Sequence, residues 1–316
     1  MVIKNNLFVT VGVLAYNSAA TILDTLESIA AQTYKNIELI VCDDGSKDNT
    51  AEVVRTWLAT NKDLFVRVEL VTVEKNTGTP ANCNRLLRAA KGEWLKMIAA
   101  DDILLPQCIE DFVDYVCRTP NSKVVYSNYN SFIKGDDGLI KITGAKISEK
   151  VKDLFDVDAH TQLYTYIEHG FNISPAVFMN LEFARSIGFI EKYKVFEDSP
   201  FYVRVLQGGT KIYHLNKDTV LYRSDGDSVT REKDSTHFFK RTFFDNILLF
   251  RKDVIYSLYP WYRISFWIKE FSFLSVYYFT VYVLRNRRTR FTQIVYNCFK
   301  ALNPYYLTQY IFQRIC

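Results

Sequence analysis

The 316-residue chain has no CxxC pair among its six cysteines, and its four histidines are as scattered as the thiols. Neither a zinc site nor a disulfide framework is expected from such spacing, and Cys42, Cys83, Cys108, Cys117, Cys298 and Cys316 read as reduced, mostly buried thiols. No GxGxxG follows the first strand-like segment, where Asn17-Ser18-Ala19-Ala20 stands instead. This argues against a dinucleotide-dependent oxidoreductase, which needs glycines to bring backbone against a pyrophosphate. The N-terminal MVIKNNLFVTVGVLAYN carries no small-residue cleavage site, so no signal peptide is expected and the location expected is cytoplasmic. The uncharged stretch Phe271–Leu284 is 14 residues long, short of the ~20 that a spanning helix requires.

What is present is ordinary globular material, 48% apolar and 23% charged, in a length that allows one large domain or two smaller ones. The net charge of +4 hides an asymmetry: residues 251–316 hold ten Lys/Arg against two Asp/Glu, a local +8, so the first 250 residues stand at −4. The same tail holds 19 of the 48 aromatic residues. Two differently built regions share the chain, and the acidic balance of the first argues against nucleic acid as a partner.

Along the first region, apolar runs alternate with helical spacing. Leu7–Tyr16, Ile37–Cys42, Val66–Val73 and Trp94–Ala99 read as strands, and Thr21–Ala31, Thr50–Ala59 and Asn82–Ala90 as the helices between them. Such alternation predicts an α/β fold on a mostly parallel sheet with right-handed crossovers. Cys108–Cys117 follows as a helix and Val124–Asn128 as a strand. Residues 134–160 read as a charged loop or hairpin, and a helix carrying Tyr202, Val205 and Leu206 follows Phe196-Glu197-Asp198-Ser199-Pro200. Polar clusters at strand ends, Tyr16-Asn17, Asp43-Asp44 and Asp101-Asp102, are expected to converge at one sheet edge, where ligands of open α/β sheets gather.

Each cluster has two readings. Asp43-Asp44-Gly45-Ser46 either caps the helix near Thr50 or offers carboxylates to a nucleobase and a ribose, with Tyr16 as a stacking face. Asp101-Asp102 is harder to explain as a cap, because one acidic residue suffices and the second repels it; a divalent cation with oxygen ligands resolves the repulsion. Glu197-Asp198 either meets the positive end of a helix dipole or supplies a general base. The spacing alone leaves these alternatives open.

The succession Tyr16-Asn17, TLESIAAQTYKNIELIVCDDGSKDNT, Asn76-x-Gly78, AAKGEW, ADD-x-x-LP and FED resembles family-2 glycosyltransferases of the GT-A fold, over about residues 7–223. The resemblance implies an inverting transferase that uses a nucleotide-diphosphate sugar, most often UDP-linked, and a Mn2+ or Mg2+ ion. It places Tyr16, Asn17, Asp44, Asn76 and Asp102 around the donor nucleotide, Asp101 on the metal, and Asp198 as the base that deprotonates the acceptor hydroxyl. Arg223 and Asp225 become further donor or metal candidates, and Glu197, Asn172 and Ser174 acceptor candidates. Two positions depart from the family pattern: Ala99 stands where many relatives have the first Asp of a DxD motif, and Asp225 where many have a histidine. Ala99 keeps open a second function, a sugar-nucleotide-binding scaffold without turnover.

The implied organisation is a catalytic domain over 1–223, with a nucleotide-binding half (7–102) and an acceptor half (103–223), and a helical region over 224–316. In that region Lys269-Glu270 precedes the uncharged stretch and Arg285-Asn286-Arg287-Arg288-Thr289-Arg290 follows it. The pattern fits helices lying in a membrane interface, with arginines on anionic lipid; the competing reading is a cap whose aromatics pack on protein. With the family's usual context, it implies a polyprenyl-diphosphate-linked acceptor at the inner membrane face, in O-antigen or capsular polysaccharide synthesis.

Overall fold

The structure is a computed structural model that describes residues 6–135, 137–145, 153–169, 174–224, 236–261 and 263–302. Its contacts divide the chain into two units, Met1–Gly226 and Asp227–Cys316.

The first unit is built on a nine-stranded mixed sheet. Its first half comprises β1 (Val9–Ala15), α1 (Ile22–Ala30), β2 (Ile37–Asp43), α2 (Thr50–Asn61), β3 (Arg67–Thr72), α3 (Thr79–Ala89) and β4 (Trp94–Ala99). The strands are parallel in the order β3-β2-β1-β4. Val9, Val11 and Val13 are wholly buried and β2 is buried along its length, as continuous apolar runs require when helices cover a parallel sheet. Gly12 lets α3 approach: a Cβ there would run into the Leu86 side chain. Glu38, buried near the start of β2, is paired, accepting from Thr10 Oγ1 (2.5 Å) and the Lys91 backbone N–H (2.7 Å) and forming an ion pair with Arg67.

Register carries the site. Ala15 lies beside Asp43, and Leu14 beside Ala99, so the carboxyl ends of β1, β2 and β4 finish side by side.

The second half continues through β5 (Ile103–Leu104), α4 (Cys108–Arg118), β6 (Val124–Lys134), β7 (Ile140–Ala145), α5 (Ala159–His169), β8 (Val177–Asn180), α6 (Leu181–Ile187), α7 (Asp198–Gln207) and β9 (Ile212–Arg223). Antiparallel β8 joins β4 to β6, and β9 runs parallel to β6. The segment read as a loop or hairpin is in part the β6–β7 pair, and its last two residues already belong to α5. The strand β9 carries no sequence signature because Asn216-Lys217-Asp218 interrupts its alternation; the pairing with β6 breaks register beside it, between Ser127 and Tyr129.

The second unit contains α8 (Arg241–Phe250), α9 (Ile264–Tyr278), extended by the looser turn Phe279–Val283, and α10 (Arg290–Leu302). Phe239, Tyr277 and Val281 form its core, with Phe238, Phe244, Leu248 and Tyr296 packed on them. Buried Asn286, at φ 53°, accepts from the Phe239 N–H and donates to the Phe239 carbonyl, both at 2.8 Å. Arg251 donates to Glu270, with Nε at 2.7 Å from Oε2. No helix among the described residues is long and apolar enough to cross a membrane.

Candidate active site

Tyr16 is exposed at 46%, directly after β1. Asn17, at φ 50°, donates its N–H to Ser46 Oγ and accepts from the Lys47 N–H through Oδ1, both at 2.8 Å. Ser46 in turn is bonded to Asp43, so the loop after β2 is tied to the end of β1. Helix capping falls to a residue the sequence did not single out: Asp48 accepts from the Thr50 N–H (3.1 Å). Desolvation raises its carboxyl, but bonds from the Thr50 hydroxyl and the Ala19 and Thr50 N–H groups hold it below the ordinary range.

Asp44 is therefore free of the capping role, and it is buried. Its carboxylate accepts from the Thr77 N–H (3.1 Å), Thr77 Oγ1 (2.6 Å), the Gly78 N–H (2.9 Å) and Arg85 Nη2 (2.6 Å). Asn76 Oδ1 also accepts from the Gly78 N–H, at 3.1 Å. Asp44 and Asn76 thus shape one loop, and Arg85, absent from the motifs, supplies the cation beside Asp44.

At the end of β4, Asp101 is half-buried and Asp102 buried. Asp102 Oδ1 accepts from the Arg223 N–H (2.9 Å), and the Asp101 carbonyl accepts from Arg223 Nε (2.9 Å). Arg223 also reaches Asp24 Oδ2 at 3.0 Å, and Asp24 takes Lys134 Nζ at 2.7 Å. Burial first, then the neighbouring Asp101 carboxylate, pushes Asp102 well above the usual carboxylate range, while the Arg223 N–H and Lys96 pull the other way. Two adjacent carboxyls of this kind suit a Mn2+ or Mg2+ ion that takes one or two protein oxygens and the rest of its shell from a diphosphate. Among the described residues no cluster of three or more His, Cys, Asp or Glu forms a larger metal cage.

Glu197 is the residue before α7 and Asp198 its first. Asp198 Oδ1 accepts from the Ser199 N–H (2.6 Å), so the helix-terminus role is real, and Oδ2 accepts from Ser174 Oγ (2.9 Å). Tyr166 Oη and Ser199 Oγ lie 2.7 Å apart. Burial, then the Asp198 charge, pushes Glu197 up to about 8, and burial raises Asp198 as well. The pair holds a proton more readily than an ordinary carboxylate.

One contact joins the segment before this pair to the loop around Asp44. The Thr79 N–H donates to the Lys194 carbonyl at 3.0 Å, and a Cβ on Gly78, which sits at φ 96°, would lie 2.5 Å from that oxygen. The loop fixed by Asp44 is thereby fixed to the segment leading into Glu197-Asp198. Asn172 and Asp225 lie outside the described residues.

A family model described as glycosyl transferase family 2 matches residues 10–178, just over half of the chain. The chain belongs to glycosyltransferase family 2. Among its relatives, the putative glycosyltransferase EpsE of Bacillus subtilis is 26% identical over 217 residues, which is 68% of this chain and 73% of EpsE. The Escherichia coli UDP-Glc:alpha-D-GlcNAc-diphosphoundecaprenol beta-1,3-glucosyltransferase WfaP is 27% identical over 227 residues, 71% of this chain and 80% of WfaP. S. aureus TarS 1-349 in complex with UDP-GlcNAc superposes with a TM-score of 0.57 at 19% identity, covering 84% of this chain and 79% of that one. The chain spans 39% of a further crystal structure of S. aureus TarS. The mannosyltransferase PcManGT of Pyrobaculum calidifontis, in complex with GDP-Man and Mn2+, superposes at 0.51 and 19% identity, covering 72% and 58% of the two chains. The fold of this family-2 glycosyltransferase is GT-A, a mixed sheet flanked by helices, and its curated relatives include bacterial glucosyltransferases with lipid-linked acceptors.

Proposed function

We propose that the unit Met1–Gly226 transfers a sugar, with inversion, from a UDP-sugar to a hydroxyl of a polyprenyl-diphosphate-linked saccharide in O-antigen or capsular polysaccharide synthesis. The observation that carries this is the continuous wall from Asp44 through Thr77-Gly78 to Lys194 and Asp198, which sets a donor-side carboxylate and a candidate base in one frame. The UDP-GlcNAc in the TarS complex and the lipid-linked acceptor in WfaP's name support the choice of substrates.

In this reading Asp198 accepts the proton of the acceptor hydroxyl as its oxygen bonds to the anomeric carbon and the bond to the diphosphate breaks. The electron pair leaves with the nucleoside diphosphate. Ser174 and the Ser199 N–H orient the carboxylate. Asp101, with Asp102 behind it, holds the cation, which when bound supplies positive charge to the leaving diphosphate. Tyr16, Asn17, Asp44 and Asn76 shape the nucleotide side, Arg223 braces Asp101-Asp102, and Glu197 and Ser174 border the acceptor. UDP release from UDP-glucose and UDP-GlcNAc, measured with a GlcNAc-diphospholipid acceptor and with or without Mn2+, tests the reading. Tight UDP binding with no release from any UDP-sugar favours the scaffold without turnover, and tight NAD binding with none of UDP returns an oxidoreductase.

The unit Asp227–Cys316 is proposed to lie on the inner face of the cytoplasmic membrane. On α9, Ile264 (65% exposed), Ile268, Phe271 (74%) and Tyr278 follow one another at helical spacing, and Tyr282 stacks on Tyr278 at 5.9 Å. Exposed Arg285, Arg287, Arg288 and Arg290 come next. Co-sedimentation with phosphatidylglycerol vesicles but not with phosphatidylcholine vesicles is the expected result; equal recovery from both argues for protein contacts instead.

A further inference from the structure

The strand that delivers Asp101-Asp102 carries a lysine in its interior. Leu95 and Ile98 of β4 are buried as their apolar run demands, and Lys96 between them is 0% exposed. A methionine would fill the same length of core without the several kcal/mol that burying an ammonium costs. The contacts of the amine say what it does there. Nζ donates to the Pro175 carbonyl at 2.6 Å and to the Met97 carbonyl at 2.9 Å. Pro175 is the middle residue of the short turn Ser174–Ala176, and the Ser174 hydroxyl donates to Asp198 Oδ2.

We infer that Lys96 is a positioning residue for transfer: through the Pro175 carbonyl and the Ser174 hydroxyl it fixes the Asp198 carboxylate relative to Asp101-Asp102 at the end of its own strand. The inference rests on Asp198 being the base. An inverting displacement requires it geometrically, because base and leaving diphosphate sit on opposite sides of one carbon, and a misplacement of about 1 Å costs on the order of 100-fold in rate. A single strand that holds the diphosphate-side carboxylates at its tip and grips the base-side turn from its interior sets that separation. Burial draws the amine down to about 8, and the charges of Cys108 and Asp102 work against that fall.

The test compares Lys96→Met, Ser174→Ala and their double variant in UDP release from UDP-glucose and UDP-GlcNAc, with UDP calorimetry and amide exchange over residues 174–180. Lys96→Met is expected to lower kcat by about 100-fold and to accelerate exchange in 174–180. UDP affinity and donor KM stay within about threefold of wild type. In the Ser174→Ala background the same substitution costs less than about threefold, because the link it breaks is already gone. Lys96→Gln, which keeps an N–H donor, recovers part of the rate. Unchanged kcat or exchange, additive losses in the double variant, or loss of UDP binding along with rate each overturn the inference, the last by assigning Lys96 to the fold at large. Asp198→Asn separates the two failures: if it is inactive while Lys96→Met is fully active, only the lysine's role falls, and if it is fully active, the base assignment falls and takes the lysine's role with it.

Discussion

The two units spend their side chains in opposite ways. In Met1–Gly226 charge goes inward and is matched: Glu38, Asp44 and Asp102 are buried against backbone N–H groups and, for the first two, arginines. In Asp227–Cys316 apolar surface goes outward: among the described residues this smaller unit has eleven exposed large hydrophobics against seven in the larger one. Its aromatics divide between two jobs, Phe239 and Tyr277 facing a core while Trp261, Phe271 and Tyr282 face solvent. In the proposed reading the matched charges of the first unit serve the transfer, and the exposed apolar surface of the second serves association with a membrane.

The comparison breaks most severely at the proposed base. Asp198→Asn is expected to lower UDP release by about a thousandfold, within the range for a general base, while calorimetric UDP binding holds. A wild-type rate removes the chemical half of the contrast. Asp101→Asn comes next, with a loss of about 100-fold and a flattened response to added Mn2+; a variant that still responds fully to Mn2+ locates the cation elsewhere. The pH dependence is smaller and its sign is fixed. Because burial raises both Glu197 and Asp198, the rate rises with pH, and its acid limb lies above the ~4 of an ordinary carboxylate. Glu197→Gln is expected to leave that limb in place, because burial rather than the Glu197 charge raises Asp198. For folding, the raised Glu197 contributes stability below about 4.5 that is lost as pH rises through about 8, so urea unfolding of the protein without ligands should show it weaker at pH 8 than at pH 5.

In the second unit, Asn286→Ala strands the buried Phe239 N–H and carbonyl and is expected to cost about 1–3 kcal/mol, visible as a lowered melting transition with UDP binding intact. Smallest is Phe271→Ser with Tyr282→Ser, each within about 0.5 kcal/mol in denaturant unfolding because both side chains are exposed. The same pair should bind anionic vesicles measurably less. A large stability loss there would mean the exposed stripe is a packed face after all.

Legibility in the sequence followed local repetition. The four parallel strands announce themselves through runs such as Ile37–Cys42, and the ordered motifs give the family, which the match over 10–178 shows. The strand-end clusters were readable because β1, β2 and β4 each run directly into polar residues. Elements resting on long-range pairing were not readable: β9 takes its place from β6, and α5 mixes Thr, Gln and Tyr so that its buried Gln162 is explained only by the backbone of Ile212, to which it bonds at 2.9 Å. In the site, Arg85, Asp24 and Lys96 escaped for the same reason. Lys96 alone left a trace, a charge inside the otherwise apolar Trp94–Ala99.

The Lys194 carbonyl resting on Gly78 also bears on the order in which the molecule comes together. Residues 78 and 194 lie far apart along the chain, and closing so long a loop is rewarded only when both ends are already structured. The pairs β1–β2 and β2–β3 close shorter loops, Val9 meeting Ile37 and Glu38 meeting Arg67, than the contact of Gly78 with Lys194, which waits for the segment leading into α7. In the proposed reading a chain truncated after β4 keeps the polar strand ends but lacks both the Lys194 contact and Asp198, so transfer would report on the whole of the first unit.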